Sequence, residues 1–108
     1  MKANCQQDQL ARGLAIVARA VPARSTLPVL ANILVATDDA SLRLSATNLE
    51  VGITCTVPAR IDDVGAVTVP ARLLAEFVAS LPQTSVDMEL DDDTQTLRVS
   101  AERFQADM

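Results

Sequence analysis

The chain has 108 residues, enough for one domain with a single hydrophobic core. Apolar residues make up 49% of it, and with only two Phe and no Trp or Tyr the core must be built from aliphatic side chains. The net charge of −5 argues against a nucleic-acid partner, and no apolar run approaches the ~18 residues of a membrane span. No apolar stretch typical of a signal peptide follows Met1 and Lys2, so the expected location is the cytoplasm.

The first half of the chain predicts a strand, a helix and three further strands. Alternating apolar residues indicate strands at residues 2–5, 29–37, 41–47 and 50–57, with loops at 21–28 and 58–65. The helix is expected to have Asp8 as its N-cap and to continue to Ala20, because Pro22 cannot extend it.

This first helix is predicted to have two distinct faces. Its buried stripe consists of Leu10, Leu14, Val17 and Val21. Arg12 and Arg19 are seven residues apart and fall on the opposite side, so the helix presents two guanidinium groups to solvent.

The second half repeats the pattern of one strand, one helix and several strands. Strands are predicted at residues 66–69, 86–90, 95–101 and 103–108. A helix begins near Pro70 and ends before Pro82, with Arg72 and Glu76 on its outer side. Its buried stripe consists of Leu74, Phe77, Val78 and Leu81.

The predicted order of elements is β-α-β-β-β-β-α-β-β-β, an α+β fold with two helices and about eight strands. Each strand has one apolar face, so the expected packing is an antiparallel sheet with both helices on one face. The last strand ends close to Met108, which suggests a chain that is truncated there or that awaits a partner.

Candidate catalytic and metal-binding residues are sparse. The chain has no His and no glycine-rich phosphate loop, so a small hydrolase is disfavoured and no metal or cofactor is expected. The acidic run Asp91–Asp93 fits a solvated turn between strands better than a metal site. Cys5 and Cys55 lack zinc-ligand spacing and are interpreted as small buried hydrophobic residues.

Charge is distributed unevenly along the chain. Residues 1–37 carry a net charge of +3, residues 38–84 carry −3, and residues 85–108 carry −5. The outward arginines suit phosphate recognition. From the residues alone, however, these arginines are better explained as ordinary solvent-exposed helix residues, with Arg72 pairing with Glu76 four residues later.

Several segments resemble the bacterial beta sliding clamp of DNA polymerase III. The resemblance is carried, in order, by Met1-Lys2, by RSTLPVLANIL at 24–34, by LRLSATNLE at 42–50, by VTVPAR at 67–72, by Leu81-Pro82 and by Arg103-Phe104. Asn48 stands where the family usually has Asp, and the first strand is less bulky than is typical.

The resemblance implies a DNA-clamp fold and a non-catalytic function. Residues 1–108 would be the first of three domains in a subunit that pairs head to tail with a second copy, and the ring would encircle double-stranded DNA. It would act as a processivity factor in DNA replication, in the bacterial cytoplasm and associated with the nucleoid. Polymerase and clamp loader would bind later domains.

The resemblance also implies roles for particular residues. Arg24 matches a DNA-contacting loop position, and Arg72, Arg12 and Arg19 follow from their helix faces. The expected subunit interface consists of Arg103, Phe104 and Ala106, with Leu73, Glu76 and Phe77 as weaker candidates. The alternative from another class is a stand-alone interaction module that pairs through its edge strand at 103–108.

Overall fold

A computed structural model describes residues 1–21, 31–47 and 51–108. It contains the two helices and eight strands in the predicted order. The helices are α1 (Gln7–Val17) and α2 (Ala71–Ser80). The strands are β1 (Lys2–Gln6), β2 (Asn32–Asp38), β3 (Ser41–Thr47), β4 (Gly52–Asp63), β5 (Ala66–Pro70), β6 (Ser85–Asp91), β7 (Thr96–Ala101) and β8 (Phe104–Asp107).

All eight strands belong to one antiparallel sheet, in the order β5-β2-β3-β4-β1-β6-β7-β8. In β1, β3, β5, β6 and β7 every other side chain lies in the core, as in β3, where Leu42, Leu44 and Ala46 are buried. Helix α1 packs on β3 and β4 and against α2, so the two helices form one layer on the concave, apolar side. The predicted α+β architecture is confirmed.

Two five-element units build the domain. The first is β1-α1-β2-β3-β4 and the second is β5-α2-β6-β7-β8. The first strand of each unit pairs with a strand of the other unit, since β1 pairs with β6 and β5 pairs with β2. Buried Leu10 and Leu14 of α1 correspond to buried Leu74 and Val78 of α2. The near-periodicity of the sequence is therefore a structural repeat.

Strand β4 is the largest departure from the sequence prediction, because residues 58–63 are strand and not loop. Its first half, to Pro58, pairs with β3, and Ala59–Asp63 pairs with β1. Pro58 lies where β4 passes from one partner to the other, a place where a missing N–H is tolerated. Non-local pairing on both sides of Pro58 therefore extends the strand through the region predicted as a loop.

The start of α1 also differs from the prediction. The helix begins at Gln7, with Gln6 as an N-cap that makes no side-chain hydrogen bond. Asp8 is therefore not the cap. It lies in the first turn, where a negative charge stabilises the helix through its dipole. The α-helix ends at Val17 and continues as a 3₁₀ turn over Ala18–Ala20.

Two residues fix the position of α1. Buried Gln7 donates from Nε2 to the carbonyl oxygen of Val78 at 2.8 Å, which ties the start of α1 to the end of α2. Gly13 faces the sheet so closely that a Cβ atom there would lie 2.8 Å from Cγ2 of Val57. Gln7 therefore joins the two helices, and Gly13 allows α1 to lie close to the sheet.

The two cysteines are free, with Cys5 buried and Cys55 half-buried. Burial, with a smaller contribution from Asp87, raises the pKa of Cys5 to about 12. The interpretation as small core residues therefore holds for Cys5, while Cys55 is partly open to solvent.

We expect iodoacetamide at pH 8 to alkylate Cys55 at least ~100-fold faster than Cys5, because only a thiolate reacts and Cys5 is both neutral and enclosed. Peptide mass spectrometry of a time course measures both rates in one sample. In urea, where both thiols are exposed, the two rates should be equal, which is the control. Equal rates in the folded protein would contradict the burial of Cys5.

Candidate nucleic-acid interface

The exposed surface of α1 carries Arg12, and the 3₁₀ turn that continues it carries Arg19. Arg12 and Arg19 are exposed, and the opposite side of the helix is buried through Leu10, Leu14 and Val17. This division follows from helical periodicity, because residues three, four and seven apart share a face. The predicted stripe is confirmed except at Val21, which follows the 3₁₀ turn and is only half-buried.

Arg12 has a local partner. Its Nη2 lies 3.4 Å from Oδ2 of Asp8, one turn earlier, and the Arg12 side chain is 76% exposed. A solvent-exposed pair of this kind contributes about 0.3–0.5 kcal/mol. The pair is weak enough for Arg12 to exchange the carboxylate for another anion.

Arg72 is exposed in the first turn of α2, at the position that corresponds to Asp8 of α1. The pair with Glu76 expected as the ordinary alternative is absent, since Arg72 makes no ion pair with any described residue. A positive charge near a helix N-terminus opposes the helix dipole. A guanidinium in this position is therefore available to an external anion.

Both helices present these residues on one layer. Since α1 contacts α2 and both cover the same side of the sheet, their outward surfaces together form the helix face, which consists of Asp8, Gln9, Arg12, Ala15, Ile16, Arg19, Arg72, Leu73, Glu76, Ala79 and Ser80. It carries three arginines and two carboxylates, a net charge of +1. Arg24 lies outside the described residues.

The opposite surface of the sheet is acidic. On β6, the outward residues Asp87, Glu89 and Asp91 alternate with the buried residues of the strand. Near them, Arg98 donates from Nε to Oδ1 of Asp107 at 3.0 Å, and this hydrogen bond raises the pKa of Arg98 further above its ordinary value. An open groove of about 640 Å³ runs along this surface and is lined by Glu89–Thr94, Thr96, Arg98 and Asp107.

The acidic surface and the helix face thus lie on opposite sides of one sheet. The outward residues of β6, β7 and β8 carry a net charge of −3, whereas the helix face carries +1. The charged residues of these strands are Asp87, Glu89, Asp91 and Asp107 against Arg98. A polyanion approaching this domain is repelled from the outer surface of the sheet and meets arginines on the helix side.

The predicted interface residues occupy two places. Arg103 and Phe104 are exposed at the start of β8, an edge strand paired only with β7, and Ala106 is half-buried there. Leu73 and Glu76 are exposed on α2, and Phe77 is half-buried against the core. Phe104 is 48% exposed and Leu73 is 52% exposed, so both are large apolar side chains without full cover.

Sequence reasoning missed Gln7 and Gly13, which set the position of the helix face. The signal was present, since a glycine in a helix interior costs about 1 kcal/mol and needs a packing reason. Glutamine at a position on the apolar side of a helix likewise indicates a specific hydrogen bond.

Among the described residues, no group of three or more Cys, Asp or Glu side chains is arranged to hold a metal ion. None of the helices that the structure describes is long and apolar enough to cross a membrane.

Known proteins resemble this chain over almost its whole length. The family of DNA polymerase III beta subunit N-terminal domains matches residues 1–107. The beta sliding clamp of Synechococcus elongatus is 43% identical over 108 residues, covering 97% of this chain and 29% of the relative. The beta sliding clamp of Streptomyces coelicolor is 36% identical over 104 residues, covering 96% of this chain and 28% of the relative.

A solved structure shows the same fold. The DNA polymerase sliding clamp from Caulobacter crescentus has a TM-score of 0.94 at 33% identity, over 99% of this chain and 29% of that chain. The layered helices and antiparallel sheet are therefore those of a sliding-clamp domain. The chain belongs to the family of DNA polymerase III beta subunit N-terminal domains, and it spans less than a third of the length of these relatives.

Proposed function

We propose that this chain is the first domain of a sliding clamp subunit, a non-catalytic processivity factor of the bacterial replicative DNA polymerase. The observation that carries the proposal is the match of residues 1–107 to the family's N-terminal domain, on a structure whose helix side bears arginines and whose sheet side is acidic. The alternative of a stand-alone module pairing through β8 is not favoured by these comparisons.

In this function the domain contributes one part of a ring around duplex DNA. Its helix face lines the hole and its acidic sheet face forms the outside. Retention comes from the closed ring, so contacts with phosphate need only be weak and independent of sequence. A net charge of +1 on the helix face suits this purpose, because a strongly basic surface would bind tightly and slow sliding.

The partners in the proposal are those of a ring-forming clamp. Double-stranded DNA is encircled, with Arg24, Arg72, Arg12 and Arg19 facing the phosphates. A second subunit closes the ring head to tail, with the interface formed by Arg103, Phe104, Ala106, Leu73, Glu76 and Phe77. Polymerase and clamp loader bind later domains of the subunit, and the complex acts in the cytoplasm at the nucleoid without a cofactor.

The proposal requires a longer subunit, and the first check is its gene. The share of 29% predicts an open reading frame about three times the length of this chain. An open reading frame that ended with this domain would contradict the assignment as one domain of three.

Topological retention tests the function itself. The longer subunit, placed by a clamp loader on nicked circular DNA, should remain bound through gel filtration in high salt and should be lost once a restriction enzyme linearises the circle. The control is a nicked circle that lacks the restriction site and receives the same enzyme, which should keep the bound subunit. Equal retention on linear and circular DNA would show a contact-based binder and would overturn the proposal.

A further inference from the structure

The outer edge of β5 has no partner strand among the described residues, whereas its structural equivalent β1 is paired on both sides. β5 pairs only with β2. Its inward side chains, Val67 and Val69, are buried, so this edge belongs to the core layer and is not a peripheral ribbon. An unpaired edge of this kind is a template for another strand.

The two units match in register as well as in order. In the first, Lys2 lies opposite Glu89 of β6, and in the second, Ala66 lies opposite Ala36 of β2. Each strand also begins with the same extra bond, since Leu90 N donates to Met1 O and Thr37 N donates to Gly65 O, both at 2.9 Å. β5 is therefore placed as β1 is, with one neighbour missing.

In the first unit, the neighbour that β5 lacks corresponds to the second half of β4, which pairs with β1. Ala59–Asp63 pairs with β1 after the first half of β4 has paired with β3. The half-buried side chains of Ala59 and Ile61 pack against the core there. The equivalent in the second unit would be a continuation of β8.

The position of that continuation follows from the ladders. In the first unit, Leu42 of β3 lies opposite Val57 of β4. In the second unit, Leu97 of β7 takes the place of Leu42 and exchanges two backbone hydrogen bonds with Met108, at 2.9 and 2.8 Å. Val57 and Met108 are thus equivalent, a shift of 51 positions along the chain. The same shift carries Ala59–Asp63 onto positions 110–114.

We propose that the outer edge of β5 receives an antiparallel strand formed by positions 110–114 of the longer subunit, which continues β8 and closes the second half of the sheet. The inference rests on the proposed function, because it takes the chain to continue beyond this domain. The expected segment is extended, with small or aliphatic side chains at positions 110 and 112, where Ala59 and Ile61 stand in the first unit.

The amides that would bond to this strand can be named. In an antiparallel ladder, the N–H groups of alternate residues point to opposite sides. The bond from Thr37 to Gly65 puts the amides of Val67 and Val69 on the β2 side, so those of Ala66 and Thr68 point to the open edge.

The test adds a copy of Pro58–Val64 after Met108, which supplies the second unit with the segment that completes the first. Amide exchange followed by NMR should slow by about tenfold or more at Ala66 and Thr68 relative to the 108-residue chain. Val67 and Val69 are internal controls, because their amides are already bonded to β2. The control extension is the same segment with proline at the position that copies Arg60, which lies opposite Asn4 in the first unit. It should give no protection at Ala66 and Thr68.

Thermal unfolding provides a second measurement. The extension should raise the midpoint by about 4–8 °C. In a Thr68→Pro chain, which lacks the open-edge amide but keeps an edge-strand position that accepts proline, the same extension should raise it far less.

Unchanged exchange at Ala66 and Thr68 with Val67 and Val69 still protected would overturn the inference. Equal protection by the proline extension, or loss of protection throughout β5, would also overturn it. None of these measurements involves DNA or ring closure. A failure here leaves topological retention to be judged separately, and a failure of retention leaves the pairing of β5 to be judged by exchange.

Discussion

Replacing Gly13 by valine should lower the free energy of unfolding by about 2–3 kcal/mol, the upper part of the range for an overpacked core. A Cβ atom at Gly13 would lie 2.8 Å from Val57 Cγ2 and 3.1 Å from Leu44 Cδ1, and the two further methyl groups of valine would have no space. Relief requires α1 to rise from the sheet, which also moves Arg12.

Urea denaturation of Gly13→Val and of the matched variant Ala15→Val measures this effect. Ala15 is exposed on the same helix, so the second variant reports only the lower helix propensity of valine, below about 1 kcal/mol. If both variants lost the same stability, the close approach of α1 to the sheet would be refuted.

Phe104→Asp should weaken association of the longer subunits by about 100-fold or more, because a carboxylate would replace an apolar anchor inside the proposed interface. The stability of the domain itself should change little, since Phe104 is 48% exposed on an edge strand. Sedimentation velocity across a concentration series measures the dimer dissociation constant.

Val64→Asp is the matched control. Val64 is 77% exposed and lies between β4 and β5, so the same change of chemistry falls outside the proposed interface. Equal weakening by both variants, or a normal dimer with Phe104→Asp, would remove β8 from the interface.

Local patterns in the sequence predicted the strands and helix stripes that depend only on periodicity. Strand β3 has the predicted bounds, and Leu74 and Val78 are buried on α2 as expected. These elements could be found because one face of each meets the core and the other meets water, which leaves a period of two or 3.6 in the sequence.

Features that depend on distant partners could not be predicted in this way. Residues 58–63 extend β4 because β1, far away in sequence, pairs with them across Pro58. The predicted role of Asp8 was wrong because Gln7, which is hydrogen-bonded to Val78, starts the helix two residues earlier than a cap at Asp8 requires.

The candidate site was predictable only in part. Periodicity placed Arg12, Arg19 and Arg72 on outward faces, and the structure shows all three exposed. That α1 and α2 share one layer depends on how the sheet brings two units together, and the pairing of Arg12 with Asp8 depends on side-chain geometry. The role of Arg24 stays a prediction.

In the proposed function the helix face, and not the sheet face, meets DNA. Two triple variants of the longer subunit change the charge equally, and the salt dependence of DNA association tests them. One replaces Arg12, Arg19 and Arg72 by alanine, and the other replaces the exposed sheet residues Arg43, Arg60 and Arg98.

The slope of log association constant against log salt should become shallower by about 2–3 for the helix variant, since each lost phosphate contact removes about 0.9. It should stay unchanged for the sheet variant, and Arg24→Ala alone should reduce it by up to about 1. An unchanged slope for the helix variant, or an equal change for the two triple variants, would contradict a DNA-facing helix layer.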